Sequence, residues 1–273
     1  VHSGADATWL SEANGVSVTK IAQTGNGAVT LVATLGNITI PTAGSGITST
    51  GNGTVTVTAS AGSIAINDVI TTVGGLVDID GQTGVTSDAN GVITTTAAAN
   101  GGAVSGAVQI NVNGAGNISL AGNIVSTGAA STGGTASAGG QVDIVTSDGT
   151  VAVGTITTSG GNSTGPGPNH NGGAAAAVNI TSGDAAPGDT HAITLNGTIT
   201  ALGGSATNGT AGADGTVTLT ADGAVVDGNA GTLNVSAGTL VIDAVTGVAS
   251  LADPLEISVT DLDVDNTVSG QIG

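Results

Sequence analysis

The stretch Val142-Asp-Ile144, Asp148-Gly149, Val151-Ala-Val153, Gly154, Ile156-Thr-Thr158, Gly160-Gly161 decides the fold. Its three short segments alternate a branched apolar residue with Asp, Ala or Thr, and Gly or Asp-Gly separates them. Period-two alternation marks a half-buried strand, because successive side chains of an extended chain point to opposite faces. Gly tolerates the backbone angles of tight corners, and Asp bonds its own local backbone there. The stretch therefore reads as three strands separated by corners.

The same order recurs on either side. One copy runs Val178-Asn-Ile180, Gly183, Ile193-Thr-Leu195, Asn196-Gly197, Ile199-Thr-Ala201, Gly203-Gly204. An earlier one runs Val108-Gln-Ile110, Gly114, Ile118-Ser-Leu120, Gly122, Ile124-Val-Ser126, Gly128. Val29, Val55, Val77 and Val217 start further versions, and Leu240 begins the last clear one. A unit recurring every few tens of residues is the mark of a solenoid, in which each unit buries its apolar face on its neighbours. The repeats divide the chain into an irregular first turn or preceding rung (1–28), solenoid repeats (29–250) and a continuing or terminal rung (251–273). The chain is expected to be a piece of a longer protein.

Composition narrows the choice of β fold. The 273 residues include 49 Gly, one Trp, and no Phe, Tyr, Cys or Met. A sandwich fills a core about 10 Å thick with large side chains, whereas the interior of a coil one turn wide can be filled by Val, Ile, Leu and Ala. Disorder would suit the charge and the missing aromatics, but not the regular alternation or the 39% hydrophobic content. The expected fold is all-β: a right-handed parallel β-helix, that is a three-sided β-solenoid, with Gly-rich corner insertions. Its hand follows from the general preference of parallel crossovers. The extra length is expected at one point, after the third strand, in Gly128 to Gly140, Gly160 to Gly173 and Gly203 to Gly215, forming a one-sided ridge of loops.

The repeats G-x-I-x-I and V-x-I-x-x-x-x-G-x-V-x-V, with Thr, Asn and Asp at alternate positions, resemble filamentous-haemagglutinin-type repeats. Large secreted bacterial adhesins and autotransporter passenger domains carry similar arrays. The stretch from Asp253 to Gly270 has the same character. The resemblance implies a parallel β-helix displayed outside the cell or at its surface, and it carries over no catalytic or binding residues.

Charge excludes several functions. Lys20 is the sole basic residue against 19 acids, for a net charge of −18. Nothing can neutralise a row of phosphates, so nucleic acid is excluded as a partner, and attraction to anionic lipid fails for the same reason. No apolar run approaches the roughly 18–20 residues of a membrane helix, so membrane insertion is not expected. Without Cys there is neither disulfide nor thiol chemistry. An enzyme is not expected either: a sugar-acid lyase needs basic groups, and a hydrolase needs clustered carboxylates with a raised pKa. Only Asp78 with Asp80, and Asp261 with Asp263 and Asp265, are tight acidic groups.

The candidate metal ligands are Asp261, Asp263 and Asp265, three alternate carboxylates on one face of an extended segment, with Leu262 and Val264 pointing inward. A hard cation such as calcium takes oxygen ligands of this kind, although the Gly-Gly-x-Gly-x-Asp calcium repeat and the EF-hand loop are missing. No other cofactor is indicated. His2, His170 and His191 lie far apart, and Trp9 is expected to pack over the first turn or an end of the coil. Thr-rich segments such as Thr54-Val-Thr56-Val-Thr58, Thr94-Thr95-Thr96 and Thr155-Ile-Thr157-Thr158 suggest a water-ordering surface, but the sequence pattern does not keep them in register on successive turns.

The function expected from these features is structural: a rod segment of an extracellular bacterial fibre or surface adhesin, polymerising or bundling end to end in a matrix such as a biofilm. Its partners are other copies or adjacent repeats. Two alternatives remain: an adhesin module binding a surface glycan, matrix or protein through the one-sided loops, and an ice-binding or calcium-binding β-solenoid.

Overall fold

The computed structural model describes all residues except 1, 4–5, 43, 45, 101 and 184–189. Among the described residues the chain forms strands and no helix, and every strand pairing is parallel. The strands fall into three in-register ladders. The first ladder comprises Thr8–Glu12, Val29–Ala33, Val55–Ala59, Val77–Gly81, Val108–Ala115, Val142–Asp148, Val178–Ser182 and Thr216–Ala221. The second runs from Val16–Ser17 through Ile38–Ile40, Ile64–Ile66, Val85–Ser87, Ile118–Leu120, Val151–Val153 and Ile193–Leu195 to Val225–Asp227. The third runs from His2–Ser3 through Lys20–Gln23, Gly46–Ser49, Ile70–Thr71, Ile93–Thr94, Ile124–Val125 and Ile156–Thr157 to Ile199–Ala201.

Two long strands close the series by serving two ladders each. Val235–Ala244 continues the third ladder through residues 235–237 and the first through residues 239–244. Ile257–Asn266 then pairs along its whole length with Val235–Ala244. The chain thus visits the ladders in the same order on each rung, a β-solenoid-like parallel fold. The rung at 8–23 takes part in all three ladders.

Register puts like on like in the interior. Val29, Val55, Val77, Val108, Val142, Val178, Val217 and Leu240 form one column, all without solvent exposure. Leu31, Val57, Ile79, Ile110, Ile144, Ile180, Leu219 and Ile242 form the next. Each fully buried Val, Ile or Leu contributes about 1.5–3 kcal/mol of transfer free energy, so a core without aromatics is still substantial.

The interior also holds a polar seam where the third ladder turns toward the first. Gln23, Ser49, Thr72, Thr95, Ser126 and Thr158 are all buried there. Their hydroxyls donate to carbonyls of the same corner: Thr72 Oγ1 to Gly75 O (2.6 Å), Thr95 Oγ1 to Gly106 O (2.6 Å), Ser126 Oγ to Gly106 O (2.7 Å) and Thr158 Oγ1 to Ala176 O (2.8 Å). These bonds satisfy carbonyls that the corner takes out of the strand ladder, where an unmade bond would cost about 1–3 kcal/mol.

The Gly-bracketed insertions leave from this corner and stack into a fin. Its legs are tied by a relay of main-chain bonds, each N–H donating to an earlier leg: Gly212 to Gly204 (2.9 Å), Gly204 to Gly173 (2.8 Å), Gly173 to Gly161 (2.9 Å), Gly161 to Ser137 (2.9 Å) and Ser137 to Ala129 (3.0 Å). Outgoing and returning legs alternate along the relay. The packing explains the glycine content, because a Cβ on Gly204 would stand 1.8 Å from the carbonyl oxygen of Gly161. One expectation is corrected here. The connections from Ser182 to Ile193, between the first and second ladders, and from Asp227 to Val235, between the second and third, are longer than their counterparts on other rungs, so insertion is concentrated at one corner but not confined to it. Any corner that keeps the adjoining strands in phase can absorb length, since loop closure costs grow slowly.

Candidate functional site

Two regions offer a surface that could engage something else: the C-terminal end and the outer face of the third ladder. At the C-terminal end the interior columns emerge uncovered. Leu240, Ile242, Val248, Leu255, Ile257, Leu262, Val264 and Ile272 line a shallow apolar depression. Leu262 is 53% exposed and Ile272 55%, whereas Leu240, directly beneath Leu262, is fully buried. Leu262 and Ile272 continue interior columns, and among the described residues no rung lies above them.

Asp261, Asp263 and Asp265 lie on the outward side of this edge strand, all exposed. They stand opposite Thr239, Val241 and Asp243 of the preceding rung. They form a line along the strand, and among the described residues no three His, Cys, Asp or Glu side chains gather as a metal-binding group. The line brings Asp265 against Asp243, one carboxylate upon another.

Elsewhere on the first ladder, acids stand beside amides. Asn111 Nδ2 donates to Asp80 Oδ1 (3.0 Å), and Asn179 Nδ2 donates to Asp143 Oδ1 (2.7 Å). Burial, with Asp80 beside it, pushes the Asp78 carboxyl above its ordinary value. Trp9 does not cap the coil: it points outward opposite Thr30 and is 75% exposed. At the N-terminal end the buried Thr8 and Gln23 are joined, Thr8 Oγ1 donating to Gln23 Oε1 (3.1 Å) and Gln23 Nε2 to Asp6 O (2.8 Å).

One grouping escaped sequence reasoning. His191 Nε2 lies 3.6 Å from Asp148 Oδ1, and Ser182 sits at the same corner. Ser182 Oγ donates to the main-chain carbonyl of His191 (2.6 Å), not to its ring, so the three are not arranged to activate a hydroxyl. Neither Ser182 nor His191 carries a motif that would have revealed the contact.

The third ladder corrects the expectation about threonine. Register stacks Thr48, Thr71, Thr94, Val125, Thr157 and Thr200 in one outward column, followed in register by the buried Ser236 and the exposed Ser258. A second column begins beside it, where the Thr96 and Thr127 hydroxyls are 3.4 Å apart. The strands from Gly46–Ser49 to Ile199–Ala201 of this ladder contain no charged residue, in a chain of net charge −18. Variable insertion lengths hide this register in the sequence, while backbone pairing restores it. Compared with known proteins, the chain matches no family model, no curated protein and no solved structure.

Proposed function

We propose that the protein is a structural rod segment of an extracellular bacterial fibre or surface adhesin, a right-handed, three-sided β-solenoid whose end is covered by a further rung. That rung comes from an adjacent repeat or from a neighbouring copy. The observation that carries this reading is the uncovered interior at the C-terminal end, where Leu262 and Ile272 are half exposed. An edge strand with free main-chain groups above an apolar interior is a template for another strand.

The N-terminal edge suits the role of partner. Its Thr8–Glu12 strand shares the register of the first ladder, so a copy stacked in phase would set Trp9 over Asp263 and Ser11 over Asp265. That arrangement avoids the acid-on-acid contact already present between Asp243 and Asp265. The remaining surface charge keeps rods apart side by side and solvated.

Sedimentation velocity tests the reading. Species that lengthen with concentration, and that Leu262→Lys with Ile272→Lys abolishes, would support it. A strict monomer at all concentrations, with the amides of Ile257–Asn266 protected from exchange, would overturn the stacking of copies.

A second reading, ordering of surface water or ice by the third ladder, is favoured by the in-register Thr column. Hydroxyls and methyls would repeat at about 4.8 Å along the rod and about 7 Å across it. Ice-recrystallisation inhibition that is lost in Thr94→Tyr with Thr157→Tyr would support this reading, and no inhibition by the unmodified protein would dismiss it.

A further inference from the structure

The outer face of the third ladder continues along the outgoing legs of the fin. Beside the column that holds Thr94 and Thr157 stand Thr96, Thr127, Ser159 and Leu202: the first two hydroxyls are 3.4 Å apart, and Gly128 N and Gly160 N donate to Ser159 O (2.8 Å) and Leu202 O (2.9 Å). Farther out the legs stay in phase, with Ser131, Ser163 and Ala206 bridged in parallel. Their neighbours Ala130, Asn162 and Ser205, and likewise Thr132, Thr164 and Thr207, are exposed, whereas Ser131 and Ser163 are buried. Ser163 Oγ donates to Gly134 O of the preceding insertion (2.8 Å), so the exposed residues turn away from the inside of the fin. On the opposite flank of the ladder column, Val92, Asn123, Thr155 and Thr198 add one more, aligned by Ile93 N donating to Asn123 O, Ile124 N to Thr155 O and Ile156 N to Thr198 O.

The result is one broad plane of Thr, Ser, Ala, Asn and a few aliphatic side chains with no charge on it. Charged groups keep to its margin: Lys20 at its foot, Asp68 beside Val69, and Asp214, whose Oδ1 accepts from Gly203 N (2.7 Å) at the last insertion. The other two faces differ. The first ladder carries Asp78, Asp80 and Asp143 on its outward columns. The second is a single outward column wide, and its corners hold Asp88, Asp148 and Asp222.

This plane can be covered at small cost. Several of its polar groups already have partners in the same rod: Thr198 Oγ1 donates to Leu233 O (2.6 Å), Asn162 Oδ1 accepts from Ser205 N (2.8 Å), and Ser159 Oγ accepts from Leu202 N (3.3 Å). A polar group that is bonded within its own chain loses little when water is removed. The threonine methyls, with Val92, Val125, Leu202 and Ala130, are then the surface that gains. Five columns about 7 Å apart, over three to six rungs about 4.8 Å apart, amount to roughly 700 Å². A stable interface of standard size takes about 800 Å² from each partner.

We propose that this plane is where two copies of the chain pair side by side, ladder against ladder and fin against fin. A two-fold axis lying across the rods gives that overlap and sets the rods in opposite directions. Charge selects the face, because in a chain of net charge −18 every other broad side would set acid against acid. The pairing does not depend on the end-to-end stacking described above, and it covers the face that ordering of water would need open.

Sedimentation equilibrium of the Leu262→Lys, Ile272→Lys chain, whose end is blocked, tests the pairing. A monomer–dimer equilibrium with Kd of about 1–100 μM is expected, and it should tighten from about 0.05 to 0.5 M sodium chloride as repulsion between the acidic chains is screened. Thr94→Glu with Thr157→Glu should weaken it by at least about tenfold. So should Thr132→Glu with Thr164→Glu, at exposed positions where the fold is not disturbed. Thr30→Glu with Thr218→Glu makes the same charge change on the first ladder and should alter Kd by less than about twofold. Circular dichroism melts confirm that each variant is folded. An equal loss in the first-ladder variant, or unchanged association in either variant of the plane, would overturn the proposal. So would a monomer at about 200 μM in high salt, and ice-recrystallisation inhibition by that monomer would assign the plane to water instead.

Discussion

The middle of the molecule and its C-terminal end obey one register and come out differently. In the middle, Val142–Asp148 lies beside Val178–Ser182, setting Asp143 against Asn179, whose amide donates to it at 2.7 Å. Val142 and Val178 meet beneath them, both fully buried. At the end, residues 239–244 lie beside 261–266, setting Asp243 against Asp265, while Leu240 is buried and Leu262 is half exposed. In a parallel stack each rung is sealed by the rung above it. A residue's environment therefore depends on its neighbour in the column more than on its neighbours in sequence.

The largest expected effect comes from placing one substitution in the same interior column at the two places. Val178→Asp buries a charge and should cost several kcal/mol, enough to remove cooperative unfolding of the central rungs. Leu262→Asp should cost under about 1 kcal/mol in the isolated chain, because its site is already solvated. Urea denaturation followed by circular dichroism separates the two, and equal losses would break the contrast.

The fin sharpens the same point. Gly204→Ala drives a Cβ against the Gly161 carbonyl and should cost about 1–3 kcal/mol. Gly133→Ala, with nothing within 4 Å of its Cβ, should be nearly neutral. Thermal melts of the pair test whether crowding, and not glycine's flexibility, selects the residue.

Charge pairing gives a smaller effect. Asn179→Asp converts the middle to the arrangement of the end and should destabilise by about 0.2–1 kcal/mol. Asp265→Asn performs the reverse change and should stabilise by a similar or smaller amount. Both shifts should shrink as salt is added, and salt-independent shifts would point away from charge.

The smallest effect is in pH dependence, and its sign differs between the two regions. Asp227, near the C-terminal end, is pushed up by burial but held below its ordinary value by the Asn229 N–H and the Asn234 amide, so it contributes stability that is present at neutral pH and lost as pH falls through its folded value. Asp78, pushed up by burial and then by Asp80, does the opposite: stability falls as pH rises from the ordinary carboxylate value through its raised one. Asp227→Asn should therefore flatten the acid side of a melting-temperature profile. Asp78→Asn should raise stability slightly at neutral pH, and a fall there would contradict the assignment.

The strands were legible because alternation of Val and Ile with Thr, Asn or Asp survives any change in loop length. The rung at 8–23 was obscured because Thr8-Trp9-Leu10-Ser11-Glu12 replaces interior Val with Thr and adds an outward Trp. The Thr column could not be read because unequal insertions hide which residues share a phase. The uncovered end is likewise a property of position in the stack: Leu262 has the same alternating neighbours as a buried residue.

The relay through Gly212, Gly204, Gly173, Gly161, Ser137 and Ala129 has a mechanical consequence. Tension applied to the two ends of the chain would load the rungs in series, so an unsupported rung can peel away by itself. Each would release about 3.4 Å per residue, or roughly 120 Å for the 36 residues from Val142 to Val178. The relay couples the rungs that carry the fin, so they should yield together at higher force, while the rungs before Val108 yield singly. A parallel stack built this way would extend in small steps before its fin gives way.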